Sequence, residues 1–237
     1  MCIRDRYRNG RNFFPDSGVC AYMAEGNENV MELRRWFRQT KAHNTMVLGK
    51  TAEHEETGAE NINKAAGTLL LSKDENEYQL IVTENQGYTN FKHRRAIFYV
   101  KQPQEFFVLV DEGFGTATGY AKLYFHLCDE KSVDNVLLDK EVFSAHTTFN
   151  GDNNLLVRTF GEINKNLIFK EFDGRISYQT DRKYEQRKSY AVVMRKPDNS
   201  PVRYITVLYP VRSATGHTIK GQFKETGNKD NVSINIE

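Results

Sequence analysis

The chain has 237 residues, of which 39% are hydrophobic and 12% aromatic, enough to build one large β domain or two small ones around a buried core. Charged residues make up 27% of the chain, yet the net charge is only +2, so the strongly basic composition typical of nucleic-acid-binding domains is absent. No run of about 18 apolar residues occurs, so the sequence predicts no membrane-spanning helix.

The N-terminal segment contains a β-type run that ends in a turn. Residues 1–6 (MCIRDR) resemble translated sequencing-adapter sequence, so we exclude them and expect the fold to begin near Tyr7. Between Gly10 and Gly18, two aromatic residues precede Pro15, which interrupts the strand and leaves Asp16 at a Ser-Gly turn. A carboxylate there suits metal coordination or the orientation of a histidine. It equally suits an Asx-turn, in which the side chain hydrogen-bonds its own backbone.

The segment from Asn29 to Gln39 is ambiguous. Its apolar residues Met31, Leu33 and Trp36 fit a short helix about as well as an irregular strand, so at most two helical turns are expected.

The next segment contains a candidate metal ligand, His43. If it is a strand, His43, Thr45 and Val47 share one face. A neutral imidazole is the commonest metal ligand and a common proton shuttle, although a single histidine on a strand is more often structural. Asn44 either donates to an anionic group or closes a turn.

From residue 67 onward, short β-type runs alternate with turn residues. Without the strand–helix alternation of parallel sheets, about a dozen such runs predict an all-β fold: one large antiparallel β-sandwich over residues 7–215. The polar residues 216–237 are expected to form a tail or an edge strand. Turns are predicted at Asn150-Gly151, at Asp173-Gly174 and from Pro197 to Ser200. Nine of these predicted strands centre on 69–71, 78–83, 96–100, 106–110, 120–127, 155–157, 167–169, 191–194 and 204–209.

Three basic clusters suit an acidic ligand, because arginine binds sulfate or carboxylate through two parallel hydrogen bonds. Such clusters are also common on solvated faces that bind nothing. The three cysteines (Cys2, Cys20 and Cys128) lack metal-ligand spacing and are expected to be free, mostly buried thiols. The clusters are Arg34, Arg35, Arg38 and Lys41; His93, Arg94 and Arg95; and Arg182, Lys183, Arg187 and Lys188.

Read together, several segments resemble the heparinase II/III-like polysaccharide lyases, and the heparinase III branch in particular. The most specific are Asn9 to Val19, Val30 to Thr40, and His43-Asn44-Thr45. Ordinary strand sequences that match in the same order extend the resemblance over most of residues 7–210. These are His93 to Arg95, Phe107 to Glu112, His146 to Phe149 and Pro201 to Pro210.

The resemblance implies a longer enzyme, with an N-terminal α/α toroid followed by this β-sandwich. Such an enzyme cleaves uronate-containing polysaccharide by β-elimination: the carboxylate is neutralised, a base removes the C5 proton and the C4–oxygen bond breaks. The family carries its neutralising Asn and catalytic Tyr on the helical domain, and a catalytic His just upstream of this chain. No catalytic residue is therefore expected here. The expected location is periplasmic or secreted.

The resemblance also implies a structural metal site in the β domain. Asp16 and His43 match two of its ligands, a further His would come from upstream, and the divalent metal is zinc or calcium. Arg38 and Asn44 are the candidate contacts to an acidic, heparan-sulfate-like polysaccharide. The alternatives are a non-catalytic carbohydrate-binding or structural sandwich, and a related lyase acting on alginate or another uronate.

Overall fold

The computed structural model describes residues 7–8, 11–21, 27–51, 66–128, 134–151, 153–161, 166–177, 183–212, 219–222 and 233–236. Strands dominate these segments, with one α-helix and one short 3-10 helix between the second and third strands. The elements are β1 (Tyr7–Arg8), β2 (Arg11–Asn12), α1 (Glu28–Phe37), the 3-10 helix (Thr40–Ala42), β3 (Met46–Gly49), β4 (Thr68–Asp74), β5 (Tyr78–Tyr88), β6 (Phe91–Val100), β7 (Phe106–Phe114), β8 (Gly119–His126), β9 (Val136–Asp139), β10 (Ser144–Thr147), β11 (Asn154–Gly161), β12 (Leu167–Ile176), β13 (Glu185–Lys196), β14 (Val202–Val211), β15 (Ile219–Gln222) and β16 (Ser233–Ile236).

Two antiparallel sheets of unequal width form a sandwich, which confirms the predicted fold class. The larger sheet has eight strands in the order β4-β5-β6-β7-β14-β11-β10-β9. The smaller has four, in the order β12-β13-β8-β3. Within the described residues, β1 with β2 and β15 with β16 form separate two-stranded pairs, so the C-terminal strands extend neither large sheet.

The core lies between the facing sides of the two sheets. On β8 the residues alternate, so Leu123 and Phe125 point inward, opposite Val192 and Tyr190 of β13. The phenol of Tyr204, on the larger sheet, donates to the Ala121 carbonyl at 2.7 Å and so links the sheets directly. Each large side chain buried here stabilises the fold by about 1.5–3 kcal/mol.

The helix α1 is longer than the two turns expected. Its ten residues begin after Asn27, whose side chain accepts a hydrogen bond from the Val30 backbone N–H at 3.2 Å. Val30 and Phe37 are both buried. The Asn27 N-cap and the burial of Val30 and Phe37 on one side explain why this segment is a helix and not a strand. Among the described residues, no helix has the length and apolar composition needed to cross a membrane.

The turn predicted at Asp173-Gly174 is wrong, because both residues lie inside β12. Gly174 is required by packing: a Cβ at this position would lie 1.9 Å from Ser189 Oγ on the neighbouring strand. The other two predicted turns do separate strands, β10 from β11 and β13 from β14.

Candidate metal site and its surroundings

The turn that carries Asp16 is fixed between the core and a neighbouring strand. Phe13 and Phe14 are buried at 3% and 2% exposure, which anchors the residues before Pro15. Asp16 Oδ2 accepts a hydrogen bond from the Gly18 N–H at 3.0 Å, so the Asx-turn is present. The other carboxylate oxygen remains available to orient a second group.

That second group is His43, whose Nδ1 lies 2.6 Å from Asp16 Oδ1. The structure thus brings together two predicted site residues that are 27 positions apart in sequence. Asp16 is 31% exposed and His43 24%, so solvent reaches the pair. With Asp16 ionised, Nδ1 carries the donated proton and the neutral ring keeps its lone pair on Nε2, the usual arrangement of an oriented histidine.

The expectation that His43 lies on a strand is wrong. It follows the 3-10 helix of Thr40–Ala42 as an extended residue, and β3 begins only at Met46. The tight turn before His43, rather than strand alternation, sets the direction of its side chain.

A buried arginine ties the two halves of the site together. Arg187 Nη1 donates to the carbonyls of Pro15 at 2.7 Å and Cys128 at 3.3 Å, and its Nη2 donates to Ser17 Oγ at 2.7 Å. Ser17 Oγ donates in turn to the Ala42 carbonyl at 2.5 Å. One guanidinium therefore holds the residues on both sides of Asp16 and, through Ser17, the residue before His43.

Asn44, predicted to contact substrate, lies in the interior at 3% exposure. Its Nδ2 donates to the Phe14 carbonyl at 3.4 Å, and its Oδ1 accepts from the His126 backbone N–H at 2.7 Å. This burial argues against direct contact between Asn44 and a polysaccharide. The amide instead connects the loop after His43 to β8.

His126 is a second, fully buried histidine beneath the site. Its Nε2–H donates to the Lys41 carbonyl at 2.8 Å, and its Nδ1 lies 2.8 Å from Ser189 Oγ. Burial holds the pKa of His126 well below its usual value, and the nearby Arg187 guanidinium lowers it further. A neutral ring at this position matches one donated and one accepted hydrogen bond.

A buried charge network supports the loop from the opposite side. Arg95 Nε donates to Asp111 Oδ1 at 2.5 Å, Arg95 Nη1 donates to the Asn44 carbonyl at 2.8 Å, and His93 Nε2 lies 2.6 Å from Asp111 Oδ1. Burial acts to raise the pKa of Asp111, but the Arg95 guanidinium and His93 outweigh it and hold that pKa below its usual value.

Two of the three predicted basic clusters are not ligand-binding faces as a whole. In the second cluster, His93 and Arg95 are buried in the network above, and Arg94 pairs with Glu84 at 2.8 Å.

In the third cluster, Arg187 is buried and Lys188 pairs with Glu171 at 3.0 Å. Arg182 lies outside the described residues. Sequence patterns treat every arginine as a surface residue by default, so they missed the structural roles of Arg95 and Arg187.

Arg38, the other predicted substrate contact, is exposed at the C-terminus of α1. Its backbone N–H caps the helix by donating to the Arg34 and Arg35 carbonyls at 3.2 Å each. Its guanidinium is therefore placed at the surface, where the predicted contact stays a prediction.

Two predicted ligands are present, but no third histidine, cysteine or acidic residue joins them to make a metal-binding group within the described part of the chain. Cys20 and Cys128 are buried thiols, as the sequence predicts, and Cys2 lies outside the described residues.

Comparison with known proteins places this sandwich in a family. The profile of the Heparinase II/III-like, C-terminal, family matches residues 7–220, so the chain belongs to that family. The family predicted from the sequence is therefore confirmed.

Individual relatives agree with this assignment. A heparin-sulfate lyase of Bacteroides thetaiotaomicron is 46% identical over 98% of this chain, and one of Bacteroides stercoris is 31% identical over 97%. A crystal structure of heparinase III superposes with a TM-score of 0.79 at 43% identity over 98% of the chain. The chain spans about a third of each relative: 31%, 32% and 33% of their lengths, respectively.

Proposed function

We propose that the chain is the C-terminal β-sandwich of a polysaccharide lyase that acts on heparan-sulfate-type chains. The observation that carries this proposal is the 46% identity to a heparin-sulfate lyase along nearly the whole chain. The hydrogen-bonded Asp16–His43 pair also supports it, because the resemblance to these lyases implies metal ligands at these two positions. The substrate of such an enzyme lies outside the cytoplasm, so the proposed location is periplasmic or secreted.

The proposed reaction is β-elimination at a uronate residue. A base removes the proton from C5, the electron pair forms the C4–C5 double bond, and the C4–oxygen bond breaks with protonation of the leaving oxygen. The groups that neutralise the carboxylate and move these protons are proposed to lie on the helical domain and in the segment before this chain. The residues described here supply a rigid wall, and Arg187, Asn44 and Asp111 hold that wall in shape.

We further propose that Asp16 and His43 hold a structural divalent cation, zinc or calcium. The donor chemistry fits, because Asp16 Oδ1 and His43 Nδ1 lie side by side and are partly exposed, and a cation bound between them would displace the proton that Nδ1 now donates to Asp16. Two ligands bind a metal weakly, since structural zinc takes four, so the remaining ligands are proposed to come from the upstream segment. The metal, when bound, would stiffen this corner of the sandwich.

The metal proposal is tested with His43→Ala in the full-length protein that carries this chain. We expect the bound metal, measured by elemental analysis after dialysis, to fall to background and the melting temperature to drop. The matched control is His146→Ala, which removes a partly buried histidine from β10. If His43→Ala keeps the parent's metal content, His43 is not a ligand.

The lyase proposal is tested by following the ultraviolet absorbance of the unsaturated product. The full-length protein should release it from heparan sulfate, whereas alginate should give little and a neutral glucan none. Faster cleavage of alginate would transfer the assignment to a related uronate lyase. Binding of heparan sulfate without any product would instead indicate a non-catalytic carbohydrate-binding sandwich.

A further inference from the structure

A concave groove lies on the outer face of the four-stranded sheet, beside α1. Its volume is about 690 Å³, within the range of about 300–1,000 Å³ typical of small-molecule sites. Neither Asp16 nor His43 lines it, but Lys41, two residues before His43, does. The groove is therefore next to the candidate metal site and separate from it.

The floor of the groove follows from strand alternation. Tyr124 of β8 and Lys170 of β12 both pair with Ala191 of β13, so a small residue stands between two long ones. One step along the sheet, Lys122 pairs with Val193. By alternation these side chains lie on the face of the sheet opposite Leu123 and Phe125, and the short Ala191 and Val193 leave a trough between the longer side chains of β8 and β12.

Cations predominate around this trough. Five lysine and arginine side chains line it, against three acidic ones. Lys41 and Lys122 are 8% and 2% exposed, although lysine is rarely buried to this extent. One of the three acids, Glu171, already pairs with Lys188 at 3.0 Å. An anionic group entering the trough would therefore meet more cationic than anionic side chains.

One wall of the groove carries an aromatic ring from α1 and a guanidinium from β12. Trp36 is held edge-on against Phe37 and His126, with ring centroids 5.0 and 6.4 Å away. The Arg175 guanidinium stacks 5.2 Å from the Trp36 ring and 4.9 Å from the Tyr184 ring. A guanidinium stacked in this way is held in one plane, and its N–H groups can meet a sulfate or carboxylate in pairs.

From this combination we propose that the groove binds an acidic sugar residue of the polysaccharide, through its sulfate or carboxylate, outside the metal-site region. The proposal rests on the proposed function for the class of glycan. Its evidence is separate: a trough with a small-residue floor, a majority of cations and a tryptophan wall. The groove would hold the chain to the β-sandwich during cleavage and raise the affinity for long substrates.

The test removes two cations, the exposed Arg35 and the half-buried Lys170, and leaves a neutral polar side chain at each position: the double variant Arg35→Gln/Lys170→Gln. The probe is a heparin-derived hexasaccharide, titrated calorimetrically into the full-length protein at two salt concentrations. We expect the affinity to fall at least about tenfold and its salt dependence to become shallower. The single variant Lys170→Glu should weaken binding more than Lys170→Gln.

The matched control is Lys73→Gln/Lys140→Gln, which removes two exposed lysines outside the groove. It should bind the hexasaccharide within about twofold of the parent, and neutral cellohexaose should not bind either protein. The proposal is overturned if the groove variant also binds within twofold of the parent, or if cellohexaose binds equally well. Equal melting temperatures of the variants establish that each is folded.

The two proposals fail in different ways. If heparan sulfate is cleaved but the groove variant binds and cleaves like the parent, the groove proposal falls and the lyase assignment stands. If no unsaturated product forms but the groove variant loses hexasaccharide binding, the lyase assignment falls and the groove remains an acidic-glycan site.

Discussion

At the scale of single residues, the geometry of the candidate metal site depends on groups that have no direct part in it. Asp16 is held by its own turn, and that turn is held by Arg187, which lies 170 positions after Ser17 in the chain. Burying a guanidinium costs desolvation free energy. The hydrogen bonds from Arg187 to its three oxygen acceptors offset that free energy only while all three are in place.

We predict that Arg187→Met lowers the free energy of unfolding by about 3 kcal/mol or more, because it leaves two carbonyls and the Ser17 hydroxyl without their donor. Arg187→Lys should recover part of this loss, since it keeps the charge but not the fork. Urea unfolding measures both. Arg195→Met, an exposed arginine on the same strand, is the control and should change stability by less than about 0.5 kcal/mol. Equal effects at the two positions would refute a structural role for Arg187.

At the scale of elements, the turn after β2 is attached to the far edge of the small sheet. Gly18 forms an isolated parallel bridge with Ser177, just beyond the end of β12. Its φ of +82° lies in the left-handed region, and a Cβ would lie 1.9 Å from the Ser177 carbonyl oxygen. Both features require glycine, and both lie two residues from Asp16.

We predict that Gly18→Ala destabilises the chain by about 2 kcal/mol more than Gly151→Ala. Gly151 is the matched control because its φ of +102° also lies in the left-handed region, but a Cβ there meets nothing within 4 Å. The difference between the variants therefore isolates the steric clash from the backbone strain that both share. Chemical denaturation measures it, and indistinguishable midpoints would show that the Gly18–Ser177 approach relaxes at little cost.

The elements also show what the sequence could predict. The β-type run over residues 120–127 predicted β8, because strand propensity is a local property of one segment. The turn at Asp173-Gly174 was mispredicted, because this glycine makes room for Ser189 on the neighbouring strand. A contact with a residue distant in sequence leaves no local pattern. Likewise, the sequence could not predict that Arg187 and Arg95 are buried. Their partners, the Pro15 carbonyl and the Asp111 carboxylate, are distant in sequence and meet them only in the folded chain. The pairing of Asp16 with His43 was inferred from family resemblance and not from spacing.

At the scale of the whole molecule, the unequal sheets leave part of the larger one uncovered. Eight strands face four, and β4 at the edge of the larger sheet is exposed along its entire length, including Leu69, Leu70 and Leu71. The loop that carries His43 is connected to both sheets. Asn44 accepts a hydrogen bond from His126 of the smaller sheet, and Arg95, which pairs with Asp111 on the larger sheet, donates to the Asn44 carbonyl. Stability of the sandwich and geometry of the site are therefore coupled, and protonation can affect both.

That coupling predicts how stability depends on pH. His126 has its pKa lowered chiefly by burial, with Arg187 and His43 acting in the same direction, and the Lys41 carbonyl and Asp16 opposing. Burial also lowers the pKa of His93, against the opposing effect of Asp111. In the unfolded chain each histidine regains a pKa of about 6.5. As pH falls below that value, the unfolded state takes up protons that the folded state excludes, so the free energy of unfolding decreases. Below about pH 4 the lowered pKa of Asp111 adds a further loss of the same sign.

We predict that His126→Gln makes the free energy of unfolding fall less steeply between pH 6.5 and 4.5. The slope should decrease by up to ~1.4 kcal/mol per pH unit, which corresponds to the uptake of about one proton on unfolding. Glutamine removes the titrating ring and keeps a donor for the Lys41 carbonyl, which His126 Nε2 now contacts at 2.8 Å. Urea unfolding at pH 7.5, 6.5, 5.5 and 4.5 gives the slope for each protein. The matched control, His146→Gln, removes a histidine from β10 and leaves His126 in place. Its stability should therefore keep the part of the pH dependence that His126 causes in the parent. If His126→Gln unfolds with the parent's pH slope, then protonation of His126 is not what destabilises the sandwich in weak acid, and the decline must be assigned to other groups.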